Sequence, residues 1–272
     1  MMPRQRGERI GDRLLLTMLV AALFFSLAPL LVLAVFSVND FPYYSLPLKG
    51  FTLDWYDQLF KDEQIASGLT NSLEIGILVA VVASVLGTAF GIGGAMVTRR
   101  WGKVVFAAGL LPLVTPALVL AIGSQILFVE SGIPLSKLTV VIAQATAFTP
   151  FVVLMVTARL GNFQWSLLHA ARDLGAGPFR AFQVAMLPVI RPGIISGFLL
   201  AFLMSFNDFI LGFFTGRGFF TLPSLIYSMQ RVGISPMLLA YATVIAVLTL
   251  ILALTARRVL VSIAQRRGGN VA

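Results

Sequence analysis

Residues Leu73–Val97 read LEIGILVAVVASVLGTAFGIGGAMV, and their one charge, Glu74, stands at the edge of the run. A helix needs about 20 mostly apolar residues to cross the hydrocarbon core of a bilayer. Five further stretches meet that requirement. Leu14–Val38 and Pro236–Ala256 are uncharged. Val104–Val129 is uncharged and interrupted by Pro112 and Pro116, and Leu138–Ala158 is uncharged with Pro150 inside. Gly193–Thr215 carries a single charge, Asp208. Lipid offers the backbone no partners, so each stretch must satisfy its own hydrogen bonds and is predicted to be a helix. Spanning strands would appear as alternating segments of about ten residues, and the sequence has none. The expectation is an all-α polytopic membrane protein with six transmembrane helices, forming one membrane domain over residues 1–272.

Composition agrees. Hydrophobic residues make up 58% of the 272 positions and charged residues 11%, against roughly 25% charged in soluble domains. That polar surface is too small to cover a water-soluble globule. Zero cysteines exclude a disulfide framework, a thiolate nucleophile and cysteine-based metal sites, and a single histidine argues against a histidine-rich one. The formal charge of +9 would suggest nucleic acid in a soluble protein. Here the basic residues are read as loop residues of a membrane protein, with membrane lipid and not nucleic acid as their surroundings.

Their distribution predicts the orientation. Fifteen fall in four segments: the arm with Arg4, Arg6, Arg9 and Arg13, the loop with Arg99, Arg100 and Lys103, the loop with Arg159, Arg172, Arg180 and Arg191, and the tail with Arg257, Arg258, Arg266 and Arg267. Only Lys49, Lys61, Lys137, Arg217 and Arg231 fall in the opposite loops. The positive-inside rule then places both termini in the cytoplasm. The first apolar run is longer than the 7–15 residues usual in a signal peptide and is read as an uncleaved span.

The loops are too short for a separate domain of about 50 residues. In the outer loop Asn39–Ser72, Asp54–Phe60 (DWYDQLF) is readable as a short amphipathic helix. Its Tyr56, Leu59 and Phe60 would lie on the membrane surface or a neighbouring helix. The cytoplasmic loop 161–192 is more informative. Leu167–Gly175 (LLHAARDLG) is predicted to form a helix closed by Gly175 in the left-handed conformation. Gly177-Pro178 would start a second helix over Pro178–Met186, ended by Leu187-Pro188. Leu167, Leu168, Ala171, Leu174, Phe179, Phe182 and Val184 are too many apolar residues for a solvated loop. The loop either packs on its own bundle or docks into another protein.

The segment HAARDLGAGPFRAFQVAMLPVIRPGI resembles the EAA loop of inner-membrane permease subunits of ATP-binding-cassette importers. Ala170, Ala171, Gly175, Phe182, Leu187 and Pro188 fall on that pattern, with Asp173 between them, while His169 replaces its first Glu. NSLEIGILVAVVASVLGTAFGIGGAMV from Asn71 is similar to the entry of the core of such permeases. FSVND after the first span and FNDFILGFFTG from Phe206 resemble the spermidine/putrescine branch, which also has relatives for iron, opines, phosphonates and amino-acid derivatives. The resemblance implies a type I ABC importer permease (MetI-like) fold in the inner membrane of a bacterium. It implies a small cationic solute, most readily a polyamine, or another solute moved by the same machinery. It also implies a dimer of ATPase subunits holding the loop, a second permease subunit (a homologue in the polyamine branch) and an extracytoplasmic solute-binding protein. No cofactor is expected in this chain. It has no Walker-type Gly-x-x-x-x-Gly-Lys-Ser/Thr sequence, so ATP and Mg belong to the partner ATPase.

Asp208 is the only acid well inside a span, and Asn207 precedes it. A charge at the bilayer centre costs about 2.5–3.5 kcal/mol on insertion scales, so these two residues are candidates for the substrate path, with a polar clamp between helices as the structural alternative. By resemblance, the polyamine branch often has a second acid after the proline of the third span, where this chain has Ala117. Gln125, Gln144 and Thr149 either line the path or join helices. The prolines at 112, 116 and 150 are expected to break backbone bonding, and Gly87, Gly91, Gly93 and Gly94 to allow close helix approach. An intramembrane hydrolase would need a nucleophile with a base inside the bilayer, which one buried acid and a loop histidine do not supply. A proton-coupled secondary transporter would carry internal repeats and several buried ionisable groups, and neither is present.

Overall fold

The structure, a computed structural model, describes residues 6–41, 47–97, 99–232 and 236–268. Arg4 of the basic arm lies outside them. The chain divides into two compact units, Met1–Asp62 with Met229–Leu248, and Glu63–Ser228 with Thr249–Ala272. Among the described residues no strand forms beyond an isolated antiparallel bridge between Asn39 and Phe51.

The elements run α1 (Arg6–Phe36), α2 (Asp54–Lys61), α3 (Glu63–Met96), α4 (Arg99–Val114), α5 (Ala117–Glu130), α6 (Lys137–Leu160), α7 (Trp165–Asp173), α8 (Pro178–Ala181), a π-helical turn (Phe182–Met186), α9 (Leu187–Phe206), α10 (Ile210–Thr215), α11 (Leu222–Val232) and α12 (Pro236–Gly268). Five of these stretches are long and apolar enough to cross a membrane, and six if α4 and α5 form one bent span. With α4 and α5 counted as one span, the number agrees with the six expected, though the third and fifth differ in form from the sequence expectation.

The third span is not one helix. The helix breaks at Thr115-Pro116, where Pro116 has ψ 135°, and α4 and α5 meet at 103°. Pro112 and Pro150, by contrast, lie inside unbroken helices. The second helix expected in the loop 161–192 does not end at Leu187-Pro188. A proline ring clashes with the carbonyl four residues earlier, and here the π turn widens the helix at that point. The Leu187 N–H donates to the Phe182 carbonyl, and the helix runs on into α9. At its far end α9 stops at Phe206, nine residues short of Thr215, to which an uninterrupted span was expected. The outer segment read as loop also contains α11, whose first turn is closed by the Thr221 N–H donating to Ser224 Oγ (2.8 Å).

In the first unit, the outer loop folds back on the end of α1. Trp55 Nε1 donates to the Asn39 carbonyl (3.1 Å), and the Tyr56 and Ser37 hydroxyls share a 2.6 Å hydrogen bond. Leu59 is buried, whereas Phe60 is exposed. No residue of the α1 span Leu14–Phe36 is buried, and most of its apolar residues are exposed, as in a helix facing lipid or another membrane subunit.

In the second unit, α3, α6 and α9 pack most densely against one another. Glycines set the spacing. A Cβ added at Gly87 would stand 2.5 Å from Val152 Cβ, one at Gly197 would stand 3.0 Å from Val152 Cα, and one at Gly193 would stand 2.6 Å from the Met155 carbonyl oxygen. Gly91 also faces α6, at Val156, while Gly93 and Gly94 face Val105 and Phe106 of α4. The close approach expected of these four glycines is thus directed at two different neighbours.

Gly87→Ala should therefore destabilise the protein by about 1–3 kcal/mol, the usual cost of overpacking. The check is a lowered thermal midpoint in detergent. Val152→Ala in the same background should recover part of the loss, and an unchanged midpoint for Gly87→Ala alone would show that the contact has slack.

Candidate functional site

Two groups of residues stand at opposite ends of α9. At its N-terminal end lies the loop 161–192. Gly175 has φ +84°, the left-handed region expected of it. Its N–H donates to the Arg172 carbonyl (2.9 Å) and the Ala176 N–H to the Ala171 carbonyl (3.1 Å), the paired bonds of a Schellman closure. Leu168 is buried, Ala171 and Phe182 are half-buried, and Trp165 packs edge-on against Phe163 at 5.3 Å. These residues fix α7 and the π turn to the bundle. The opposite side is open: His169, Ala170, Asp173 and Pro188 are exposed, Leu187 is half-buried, and Leu174 and Phe179 are 90% and 70% exposed. The apolar residues of the loop therefore serve two surfaces, one inward and one outward.

At the other end, Asn207 and Asp208 do not sit in the middle of a helix, as the sequence suggested. They form the break between α9 and α10. Short amide and carboxylate side chains compete for nearby backbone groups, and both do so here. Asn207 Nδ2 donates back to the Leu203 carbonyl (2.8 Å), closing α9. Asp208 Oδ2 accepts the Gly212 N–H (3.0 Å), opening α10. Irregular backbone at membrane depth persists only where protein or a water-filled cavity satisfies it.

Gln144 joins the break to α6. It is fully buried, its Nε2 donates to Asp208 Oδ2 (2.8 Å), and its Oε1 accepts from Ser205 Oγ (2.6 Å). Thr249 Oγ1 donates to Asn207 Oδ1 at 3.1 Å. Every donor to Asp208 is neutral, and among the described residues no basic side chain pairs with it. It is half-buried, and Asn207 is exposed. Phe209, next in the chain, stacks on Tyr227 at 4.3 Å between ring centres. Ser205 and Thr249 were not singled out from sequence. A serine three residues before an intramembrane acid was the available signal for the first. Gln125 is half-buried on α5, and Thr149 is buried with its hydroxyl on the Ala145 carbonyl, so neither joins this network.

A bundle of apolar helices with a kinked third span, a polar helix break and an outward-facing loop closed by glycine has the construction of a transport permease. Residues 83–267 match the family described as binding-protein-dependent transport system inner membrane component, and the chain belongs to it. It is 32% identical over 232 residues to the spermidine/putrescine transport system permease protein PotC of Escherichia coli (strain K12), covering 84% of this chain and 87% of that relative. It is 35% identical over 233 residues to the putrescine transport system permease protein PotI of the same organism, covering 81% of each. Its fold is similar to a chain in the crystal structure of a bacterial alginate ABC transporter in complex with an alginate pentasaccharide-bound periplasmic protein. The TM-score is 0.69 at 17% identity, over 93% of this chain and 96% of that one. This is a multi-pass inner-membrane permease subunit of an ABC transporter with a type I importer fold, and it is not itself catalytic.

Gln144→Leu should strand the Ser205 hydroxyl and remove a donor from Asp208, at a cost of about 1–3 kcal/mol. Ser205→Ala should cost less, since it removes a single neutral bond. The double variant should cost less than the two single losses added, measured by thermal unfolding in detergent, and strict additivity would mean that the bonds do not form one network.

Proposed function

We propose that this chain is the membrane-spanning subunit of an ATP-driven, binding-protein-dependent importer for a small organic cation of the polyamine class. The observation that carries the cation is Asp208. A carboxyl group at a helix break within an apolar span, half-buried and held only by neutral donors, leaves its charge to be balanced by whatever enters the break. The names of the similar permeases from Escherichia coli support the solute class. Ala117, which opens α5, favours a second reading: a solute with one positive charge, such as an amino-acid derivative.

The partners follow from the family. A soluble binding protein delivers the solute, and a second, homologous permease completes the path. Two ATPase subunits, carrying ATP and Mg, bind the cytoplasmic face that both termini share. His169, Ala170, Ala171, Asp173, Gly175, Phe182, Leu187 and Pro188 form the element they hold. Leu174 and Phe179 give that element an exposed apolar surface, and Gly175 fixes the angle between α7 and α8.

Asp208→Asn isolates the charge. Its amide oxygen can still accept from Gly212 and Gln144, so assembly should be retained. Uptake of putrescine into proteoliposomes loaded with ATP and supplied with the binding protein should fall by about tenfold or more, which corresponds to about 1.4 kcal/mol. Undiminished uptake would remove Asp208 from the path and leave it as a clamp between α6 and α10.

Gly175→Val should uncouple the subunits. A β-branched residue at this φ costs about 1–2 kcal/mol or forces the turn to change. The spans should fold as before, while transport-coupled ATP hydrolysis in the assembled complex falls several-fold. Normal coupling in that variant would refute the assignment of the loop.

A further inference from the structure

The hairpin of α3 and α4 borders an open space away from the Asn207-Asp208 break. The Gly102 backbone lies against Gly94, where an added Cβ at Gly102 would stand 2.6 Å from the Gly94 carbonyl oxygen. Beside this crossing is an open cavity of about 500 Å³, lined by Gly91, Gly94, Ala95, Lys103, Phe106 and Thr157 among others. That volume falls within the range of small-ligand sites, about 300–1,000 Å³. The Thr157 hydroxyl is already bonded to the Val153 carbonyl (2.6 Å), so the ligand-directed polar group of the wall is Lys103. Among the described residues Lys103 has no acidic partner, and neither has Arg100 one turn away.

The surroundings identify the occupant. The cavity lies where an apolar helix ends in a basic turn, which is headgroup depth in a bilayer. Trp101, an interfacial residue type, is 64% exposed beside it. Phe106 on the cavity wall and Leu113, seven residues on and 45% exposed, share one face of α4 and lead from the cavity toward the membrane interior. Positive charge at the mouth and an apolar track leading inward suit an anionic headgroup with its acyl chains still attached. We infer that the cavity between α3, α4 and α6 binds an anionic phospholipid, with Lys103 on its phosphate and the acyl chains along the outer face of α4. The inference requires that these helices span a membrane and is independent of the solute and of ATPase coupling.

The test uses the full-length chain purified in mild detergent and exchanged into nanodiscs of mixed phosphatidylglycerol and phosphatidylethanolamine. Lipid retained by the released protein is counted by native mass spectrometry. Wild type should keep phosphatidylglycerol preferentially. One basic residue near a charged surface is worth about fivefold in retention, so Lys103→Gln should lower it by that factor. Ala95→Phe, at an exposed position on the cavity wall, should do the same by filling the space without touching charge. Arg217→Gln, an exposed basic residue in a different loop, should leave retention unchanged. Equal losses in Arg217→Gln and Lys103→Gln, or equal retention of the two lipids, would overturn the site. Binding of soluble glycerol phosphate as tight as that of the lipid would overturn the lipid assignment.

Discussion

The register between α6 and α9 is the constraint on which the second unit depends. These helices run antiparallel, and contact at Val152 with Gly197 and at Met155 with Gly193 leaves no room for a methyl group. Once those residues are opposed, positions farther along are fixed as well. Moving eight residues back along α6 and eight forward along α9 brings Gln144 opposite Ser205, where the 2.6 Å hydrogen bond forms. Three residues beyond Ser205 the helix has ended, and Asp208 takes the other end of the same amide. A polar network inside a membrane is costly when half-satisfied. Here glycine contacts two turns away hold its members within hydrogen-bonding distance. The α3 helix runs parallel to α6 and repeats the device, with Gly87 on Val152 and Gly91 on Val156.

Proline and short polar residues divide the work of ending helices, and that division explains what the sequence disclosed. The six apolar runs, the short helix in the first outer loop and the left-handed glycine at 175 were legible, because each follows from a local rule: hydrophobic length, amphipathic spacing, or the steric cost of a Cβ at positive φ. The break at Asn207 and Asp208 was not. Charge count marked Asp208 as costly, but an acid within an apolar run reads the same whether it lies in a helix or between two. The outcome depended on Gln144, 64 residues away in the chain. Prolines misled in both directions. Pro150 sits buried in an unbroken helix, Pro116 bends the chain by 103°, and Pro188 is accommodated by a π turn that no simple pattern announces. The α11 helix was overlooked although Thr221-Leu222-Pro223-Ser224 carries a capping pair and a proline suited to the first turn.

The continuity of α8, the π turn and α9 bears on how the proposed coupling could act at a distance. The α9 segment has 20 residues, a rod of about 30 Å at 1.5 Å per residue. Its N-terminal end grows without a chain break from the loop proposed to hold the ATPase, and its C-terminal end is the polar break. Had Leu187-Pro188 ended a separate helix, a hinge would lie between them and motion of the loop could be absorbed there. Because the π turn keeps the helix whole, displacement of the loop has to move the rod. The rod is gripped near its middle at Gly197, where the contact is with the Val152 backbone and stem and not with the flexible end of a side chain. Such a contact does not slide by fractions of an ångström, since close-packed interiors offer discrete arrangements in place of continuous ones. Thus α6 and α9 would travel as one body, and Gln144 would stay on Asp208 throughout. The carboxylate would then meet the solute with the same neutral donors on either side of the membrane, and the change in affinity needed to release cargo would have to come from surfaces that do move against this body. Within the second unit, the α4–α5 knee, exposed along its apolar face, is one part free to form such a surface.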